Sequence, residues 1–465
     1  MSTSSGSISV VQPKLCEQYG LQPVPHSQQT GGAWPLFNIY SNLFINPGTL
    51  ITSGMMVTAG LSFVSAVSIQ LVSVLIGMIP FLLFSQAGVR YGIPGQVLCR
   101  AVFGIRGARW ITSILRLLCS IYWFAFQTAA GALAIEAILR NCFQLHIPLW
   151  GISLVFALFQ GVVAIVGYHY LKWLSVFSFP AKLILFITLM LFLLDAGGSD
   201  AAPETVMLME GLHWSWPLAA LWFNTIVSTS FTCVTDASDF TRYTRSGNAL
   251  LIGTISGSLV GTLLAASFGA YAVIAGGADN INPFETITQL QPNVLIILLV
   301  ALVIFLDNWT INVINLYTGG LSLCNAFDKI GRFRATVIVT LVAGLLSCFP
   351  DIISGYVHYM GTLGTLFAPI TGTMLVWYFY QFKCVDVPAL YQSDGIYWYF
   401  QGFNIFACLL VPAAFLTGLF IPEYWMPAVF LMFATAFLYW LLVRLRPGIS
   451  RVQLERSDSL SAPLD

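Results

Sequence analysis

The chain has 465 residues, of which 57% are hydrophobic and 8% are charged, and its formal net charge at pH 7 is zero. A soluble domain carries about 25% charged residues, so a mostly water-facing protein is excluded. The balanced charge says nothing further about partners, and no nucleic-acid partner is expected. Apolar runs of about 20 residues, long enough to cross a hydrocarbon layer of ~30 Å, recur along the whole chain. The sequence therefore predicts an all-α polytopic membrane protein.

About twelve spans are predicted, and the basic residues decide their orientation. Lys and Arg are concentrated in the loops after even-numbered spans and after the last span, whereas the opposite loops are acidic apart from Arg140. Because an excess of Lys and Arg marks the cytoplasmic side, both termini are predicted to be cytoplasmic in a multi-pass plasma (inner) membrane protein. The spans lie near residues 34–60, 64–86, 109–139, 147–168, 173–194, 214–235, 249–275, 291–322, 334–350, 357–381, 401–420 and 426–444.

The two ends of the chain are predicted to be short disordered tails. Residues 1–33 begin with a Ser-rich polar stretch that lacks the apolar segment of a cleavable signal peptide, and residues 447–465 form the second tail. Nine cysteines are scattered singly, without a CxxC pair or a Cys/His cluster. The cysteine pattern therefore predicts no metal site, and no cofactor is expected.

Interruptions are predicted in the first and sixth spans. In NLFINPGT, residues 42–49, Pro47 and Gly48 weaken the helix, and in STSFTCVTDASDFTRY, residues 228–243, small hydroxyl residues appear before the apolar run ends. Such breaks are typical of transport helices, because the freed backbone groups must face protein or a water-filled cavity. Breaks in spans one and six point to two inverted halves of five helices with a site between them.

The third and fifth spans each carry polar side chains at depth. In IYWFAFQTAAG, residues 121–131, Trp123 and Gln127 share a helix face. An aromatic plate beside an amide suits a flat polar heterocycle, although an interfacial tryptophan with an amide that bonds between helices is the alternative. Lys182 lies about ten residues into the fifth span. It is either a cation held in the bundle interior or an amine that reaches along its stem to the headgroups.

The eighth span contains the stretch FLDNWTINVIN, residues 305–315. A lipid-facing aspartate at the bilayer centre costs roughly 2.5–3.5 kcal/mol, so this part of the helix should line a cavity or meet another polar helix. Hydrogen bonding between helices is the alternative, but so many polar residues together favour a site. At about 100° per residue, they occupy two adjoining faces, one with Asn308, Asn312 and Asn315 and the other with Asp307 and Thr310.

Four stretches, found in the expected order, resemble the nucleobase–cation symporter family. YGIPGQVLCRAVFGIRGARWITSILRLLCSIYWFAFQ, residues 91–127, is similar to that family's second loop and third span. SDFTRY at 238–243 is similar to the end of its sixth helix. DNWTINVINLYTGGLSLCN at 307–325 is similar to the eighth helix of its cytosine-permease branch. ALYQSDGIYWYFQGFN at 389–404 resembles the loop before helix eleven.

The resemblance implies a leucine-transporter-like fold with five-helix repeats at 34–196 and 197–382, followed by a loop and two peripheral helices at 383–446. It implies a secondary active transporter, not an enzyme, that imports a nucleobase or related flat N-heterocycle (cytosine, purine or aminopyrimidine class) by alternating access. The substrate-binding residues that it implies are Trp123, Gln127, Phe231, Thr232, Asp307, Asn312 and Asn315.

The coupling ion is where this chain departs from the family. Sodium-coupled members place two adjacent hydroxyl residues on helix eight, where this chain has Thr310 and Ile311. Isoleucine offers no oxygen, whereas Na⁺ is a hard ion that needs several. Lys182 has a suitable depth to replace the ion, and a buried lysine can load and release a proton. Proton coupling through Lys182, Thr310, Leu43 and Asn46, or else uniport, is therefore predicted over sodium symport; the alternative is a sodium-coupled carrier of another small heterocycle such as a hydantoin or a vitamin precursor.

Asp307 is the second departure, because the cytosine branch has an asparagine there. An ionised carboxylate accepts hydrogen bonds but cannot donate them, which favours substrates whose exocyclic amine lies beside a ring N–H. Protonation by burial would remove this preference. Pairing of Asp307 with Lys182 is the other possibility, and it would place coupling and recognition in one network.

Overall fold

The computed structural model describes residues 19–164, 168–209, 215–349 and 351–445. The regular structure within these ranges is helical. Two isolated β-bridges join Gly31 to Thr244 and Phe400 to Phe403. The nineteen α-helices of these ranges are α1 Ala33–Phe44, α2 Pro47–Thr58, α3 Phe63–Tyr91, α4 Gly95–Phe103, α5 Ile105–Gly107, α6 Ser113–Phe143, α7 Leu149–Ala164, α8 Tyr168–Ala196, α9 Pro203–Leu208, α10 Trp216–Thr232, α11 Ser238–Thr241, α12 Gly247–Ala275, α13 Pro283–Gln289, α14 Val294–Ala326, α15 Arg332–Leu346, α16 Asp351–Ser354, α17 Tyr356–Gln381, α18 Ile405–Gly418 and α19 Pro427–Leu445.

Eight helical segments of the described chain are long and apolar enough to cross a membrane, which confirms a polytopic membrane protein. They are Phe63–Tyr91, Ile105–Phe143, Leu174–Ala196, Trp216–Asp236, Gly247–Ala275, Val294–Ala326, Tyr356–Cys384 and Pro427–Leu445. The other four predicted spans correspond to shorter elements. The first is the broken pair α1 and α2, and the remaining three are α7, α15 and α18.

The first span breaks where the sequence predicts it. α1 ends at Phe44, Ile45 and Asn46 are extended, and α2 begins at Pro47. Proline lacks an N–H, so it interrupts a helix but starts a new one readily. Asn46 caps α2, because its side-chain oxygen accepts a hydrogen bond from Thr49 N at 2.9 Å. The sixth span is also interrupted: α10 ends at Thr232 and a 3₁₀ turn separates it from α11.

Close helix packing holds this break in place. α12 presents Gly253, Gly257 and Gly261 to the backbone of α1, and a Cβ at Gly257 would lie 2.5 Å from Phe37 O. Glycines four residues apart let two membrane helices approach to backbone contact. α14 packs against α6, and α3 packs against both α10 and α12. The broken first span therefore lies among α3, α6, α12 and α14.

The N-terminal segment differs from the predicted disordered tail at residues 1–33. Residues from 19 onward are packed, so the predicted disorder does not extend to them. Val24 N donates to Gly92 O at 2.9 Å, and the buried Gln29 side chain donates to two backbone carbonyls, each 3.1 Å away. Residues 1–18 and the predicted tail at 447–465 lie outside the described residues.

Candidate functional site

A cavity lies beside the break in the first span. About 780 Å³ of space within it is free of protein atoms, including open solvent at its mouth. None of the twenty described residues that line it is Asp, Glu, Lys, Arg or His. These residues are Leu43, Phe44, Asn46, Gly48, Thr49, Thr52, Gln70, Val74, Met78, Phe81, Trp123, Gln127, Ile226, Thr229, Ser230, Cys233, Thr262, Ile311, Asn315 and Tyr356.

Gln127 lies where α6 meets the break. Its Oε1 accepts a hydrogen bond from Gly48 N at 2.7 Å, and its Nε2 donates to Asn46 Oδ1 at 2.8 Å. A Cβ at position 48 would lie 2.7 Å from Gln127 Nε2, so this approach requires glycine. These bonds use one N–H and one lone pair of the amide, so Gln127 can still offer a ligand one donor and one acceptor.

An aromatic wall stands next to this amide. Trp123 is half-buried, and its ring meets Phe126 edge-on with centroids 5.8 Å apart. Phe126 in turn stacks on Tyr356, with ring centroids 4.8 Å apart and an angle of 21° between the planes. The structure therefore brings the predicted Trp123 and Gln127 together on the cavity surface, with Tyr356 of α17 closing one side.

In the sixth span, the residues that line the cavity differ from those predicted to contact the substrate. Phe231 and Thr232 were expected to contact the substrate, but both are buried away from the cavity. Phe231 packs in the hydrophobic core, and Thr232 Oγ1 accepts a hydrogen bond from Trp123 Nε1 at 3.3 Å. The helical period puts neighbouring positions on the cavity instead, and these are Ile226, Thr229, Ser230 and Cys233.

The eighth span divides its predicted site residues between different surroundings. Asn315 lines the cavity, whereas Asn312 is fully buried behind it. Asn312 Nδ2 donates to Thr128 Oγ1 at 3.0 Å and to Gln160 Oε1. Its Oδ1 accepts from Asn315 Nδ2 at 3.1 Å. This bond uses one N–H of the Asn315 amide, so that its oxygen and its second N–H can face a ligand.

Asp307 does not line the cavity, because it pairs with Lys182. Lys182 Nζ lies 2.9 Å from Asp307 Oδ1, 2.8 Å from Thr310 Oγ1 and 3.2 Å from Ile45 O. Both charged side chains have no exposed surface, and Asp307 Oδ2 has no hydrogen-bond partner among the described residues. The ammonium is thus surrounded by oxygens from α14 and from the break in the first span, as a bound metal cation would be.

Two residues assigned to this coupling site lie elsewhere. Leu43 and Asn46 line the cavity, and Asn46 Nδ2 donates to Leu43 O at 2.6 Å. Ile45 supplies the carbonyl that Lys182 contacts. Ile45 therefore acts through its backbone carbonyl, whereas Asn46 meets the cavity through its side chain.

Sequence reasoning missed two buried glutamines. Gln70 of α3 lines the cavity and donates to Ser53 Oγ at 2.8 Å, and Gln160 of α7 holds Asn312. The available signal was a single amide inside each apolar run, because a polar side chain inside the bilayer needs a partner. It was weak, since such amides also serve to join helices.

Comparison with known proteins gives one family and several relatives. The sequence model of the family described as permease for cytosine/purines, uracil, thiamine, allantoin matches residues 23–442. The hydantoin permease of Microbacterium maritypicum is 27% identical over 444 residues, which cover 91% of this chain and 87% of that protein. The allantoin permease of Bacillus subtilis (strain 168) is 25% identical, with 86% of this chain and 87% of that protein covered.

A solved structure supplies the fold. The nucleobase-cation-symport-1 family transporter Mhp1, in a closed conformation with bromovinylhydantoin bound, superposes with a TM-score of 0.80 at 22% identity. The match covers 95% of this chain and 97% of that one. The inward-facing conformation of Mhp1 gives a TM-score of 0.77. This likeness confirms the predicted transporter fold.

Proposed function

The chain belongs to the family of permeases for cytosine/purines, uracil, thiamine and allantoin, the nucleobase–cation symporters, and we propose that it imports an uncharged, flat N-heterocycle by proton-coupled alternating access. Members of this family are transporters and not enzymes, and the helices of this chain suit a membrane protein. The substrate class, the coupling ion and the residues that serve them make up the proposal.

The absence of charged side chains from the twenty described cavity residues supports the substrate class most directly. An ion in this cavity would lose water without meeting a counter-charge, which is unfavourable in a buried site. A neutral ring instead meets the face of Trp123, the two-way amide of Gln127 and the oxygen of Asn315. Nucleobases offer alternating N–H and C=O or ring-nitrogen groups at their edges, which match such amides.

Asp307 gives no preference for aminopyrimidines or purines, because its carboxylate is not available to accept hydrogen bonds from a substrate. The carboxylate is occupied by Lys182 and does not reach the cavity surface. Pyrimidines, purines and small ureide rings are therefore all compatible with the cavity. The relatives named hydantoin permease and allantoin permease make a ureide ring the second candidate.

The Lys182 pocket supports proton over sodium coupling. A sodium ion would need the same oxygens of Asp307, Thr310 and Ile45 that already surround the ammonium. Two unit charges about 4 Å apart repel by about 4 kcal/mol at an effective dielectric constant of 20, so ammonium and Na⁺ do not share this pocket. We propose that the pair gains a proton when it is open to one side and loses it when open to the other.

Binding to the purified protein tests the substrate class. Thermal unfolding is followed with cytosine, uracil, adenine, hypoxanthine, hydantoin and allantoin, and with orotate, which is uracil carrying a carboxylate. At least one neutral ring should raise the unfolding temperature, whereas orotate should not. The Trp123→Ala variant should lose the effect, and Trp110→Ala, which removes a half-exposed tryptophan outside the cavity, should keep it. Stabilisation by orotate but by no neutral ring would overturn the proposed class.

A further inference from the structure

A second groove lies at the end of α3 that the basic loops place at the cytoplasmic surface. It runs between α3 and α12 and contains about 700 Å³ of space free of protein atoms, including open solvent. Leu82 and the buried Leu250 are among the apolar side chains that form its deeper walls. Leu251 is 50% exposed on the rim. The groove is therefore open on the outer surface of the helix bundle, apart from the substrate cavity.

Three residues of α3 give the groove a graded polarity. Leu82, Gln86 and Arg90 line it at successive intervals of four residues, so they lie on one helix face. Each interval advances about 6 Å along the helix axis. The groove thus passes from a cation to an amide to an aliphatic side chain over about 12 Å. A glycerophospholipid has its phosphate, ester carbonyls and acyl chains in the same order.

Both polar side chains have donors to spare. The Arg90 guanidinium lies over the rings of Tyr91 and Phe382, 5.4 and 5.9 Å from their centroids. Its Nη2 donates to Lys383 O at 3.3 Å, and because a guanidinium carries five N–H groups, Arg90 can still donate to a further partner. Gln86 Oε1 accepts from Tyr378 OH at 2.8 Å, so the Gln86 NH₂ group is left to donate.

The charge around the groove selects the headgroup. Among the described residues that line the groove, Arg90 alone is charged, and none is Asp or Glu. Lys383 directly follows Phe382, Arg245 lies two residues before Gly247, and both basic residues are exposed. Basic residues near the cytoplasmic surface attract anionic lipids, and a choline or ethanolamine group would find no acidic partner here.

We propose that this groove binds an anionic glycerophospholipid of the cytoplasmic leaflet. The phosphate bonds to Arg90, an ester carbonyl accepts from the Gln86 amide, and an acyl chain packs along Leu82, Leu250 and Leu251. This site is independent of the function proposed above, because it shares no lining residue with the substrate cavity.

Native mass spectrometry of the purified full-length protein tests the site. The protein is offered equal amounts of phosphatidylglycerol and phosphatidylcholine with identical acyl chains. The unaltered protein should retain phosphatidylglycerol preferentially, and Arg90→Gln should lower that retention about fivefold, the effect of one basic residue. The matched control is Arg444→Gln, which makes the same charge change at an exposed residue of α19 outside the groove. It should leave retention unchanged.

A second variant tests the shape of the groove without altering charge. Leu251→Trp places a larger side chain on the rim and should displace the retained lipid, even if Arg90→Gln fails to fold. Equal losses in Arg90→Gln and Arg444→Gln would overturn the site, as would equal retention of the two lipids. Undiminished retention in Leu251→Trp, or displacement of the lipid by millimolar inorganic phosphate, would also overturn it.

Discussion

The cavity proposed for the substrate and the Lys182 pocket are formed by neighbouring residues of the same two chain segments, yet the cavity has no charged lining residue among those described and the pocket holds an ion pair. In α14, Thr310 contacts Lys182 whereas Ile311 lines the cavity. In the break of the first span, Ile45 supplies a carbonyl to Lys182 whereas the Asn46 side chain lines the cavity. Adjacent residues therefore serve different sites.

With this division, substrate recognition and proton coupling can be linked although no side chain takes part in both. A movement of the break relative to α14 would alter both sites at once, since each is built from the same two segments. The charge stays in a pocket where it has a partner, and the cavity remains free to bind neutral rings. Substitutions in each site should therefore affect substrate binding and proton coupling separately.

Loss of the Lys182 ammonium should have the largest effect. Lys182→Met leaves Asp307 buried without its partner, and breaking a buried ion pair costs about 3–5 kcal/mol. Thermal unfolding should show this destabilisation, and proton-driven accumulation in liposomes should disappear. The double variant Lys182→Met with Asp307→Leu should recover most of the stability, because two apolar groups can replace a buried pair, but it should not recover accumulation. Proton-driven accumulation by either variant would contradict the role of the pair.

Gly48→Ala should damage the cavity and spare the ion pair. The added Cβ would lie 2.6 Å from Phe126 Cε1 and 2.7 Å from Gln127 Nε2, and overpacking of this kind costs about 1–3 kcal/mol. Substrate affinity, measured by calorimetry, should fall by about tenfold or more, since tenfold is about 1.4 kcal/mol. Gly32→Ala is the matched control, because a Cβ there meets no atom within 4 Å. Similar affinities for the two variants would show that Gln127 does not bind substrate.

Substitutions of the adjacent residues Thr310 and Ile311 should distinguish the Lys182 pocket from the cavity most closely. Thr310→Val removes a hydroxyl 2.8 Å from the ammonium, a hydrogen bond to a charged group worth about 1.5–3 kcal/mol. It should reduce proton-driven accumulation without changing equilibrium affinity for the substrate.

Ile311→Thr should have the smallest effect on coupling. It introduces the second hydroxyl that the family resemblance implies for sodium coupling, but the hydroxyl would lie on the part of α14 that lines the cavity. Uptake should therefore stay independent of sodium as long as Lys182 is present, while substrate affinity changes by up to about tenfold, the range of one hydrogen bond. Sodium-dependent uptake by this single variant would show that the two sites are not separate.

Much of the fold could be predicted from the sequence, because span length and the Pro47 break are set by local chemistry. Trp123, Gln127 and Asn315 were predicted to line one site, and the structure places them there. The orientation of the termini and the repeat boundaries at 34–196 and 197–382 stay predictions.

Other site residues could not be assigned from the sequence for physical reasons. Each residue of register in α10 turns the side chain by about 100°, and the cavity face carries Thr229 and Ser230 rather than the predicted Phe231 and Thr232. Ile45 contacts Lys182 through its backbone carbonyl, and the side-chain pattern of a sequence does not show which carbonyls a break exposes. Asp307 could be read as a substrate ligand until the fold placed Lys182 2.9 Å away.

Uptake into liposomes shows directly whether a proton gradient or a sodium gradient drives transport. The purified protein is reconstituted with the membrane potential clamped at zero, and the neutral ring that binds best is supplied outside with an inward proton gradient, an inward sodium gradient or neither. We predict accumulation above the outside concentration under the proton gradient alone, and simple equilibration in the other two conditions. Accumulation driven by sodium at equal pH on both sides would contradict a cation site already filled by Lys182.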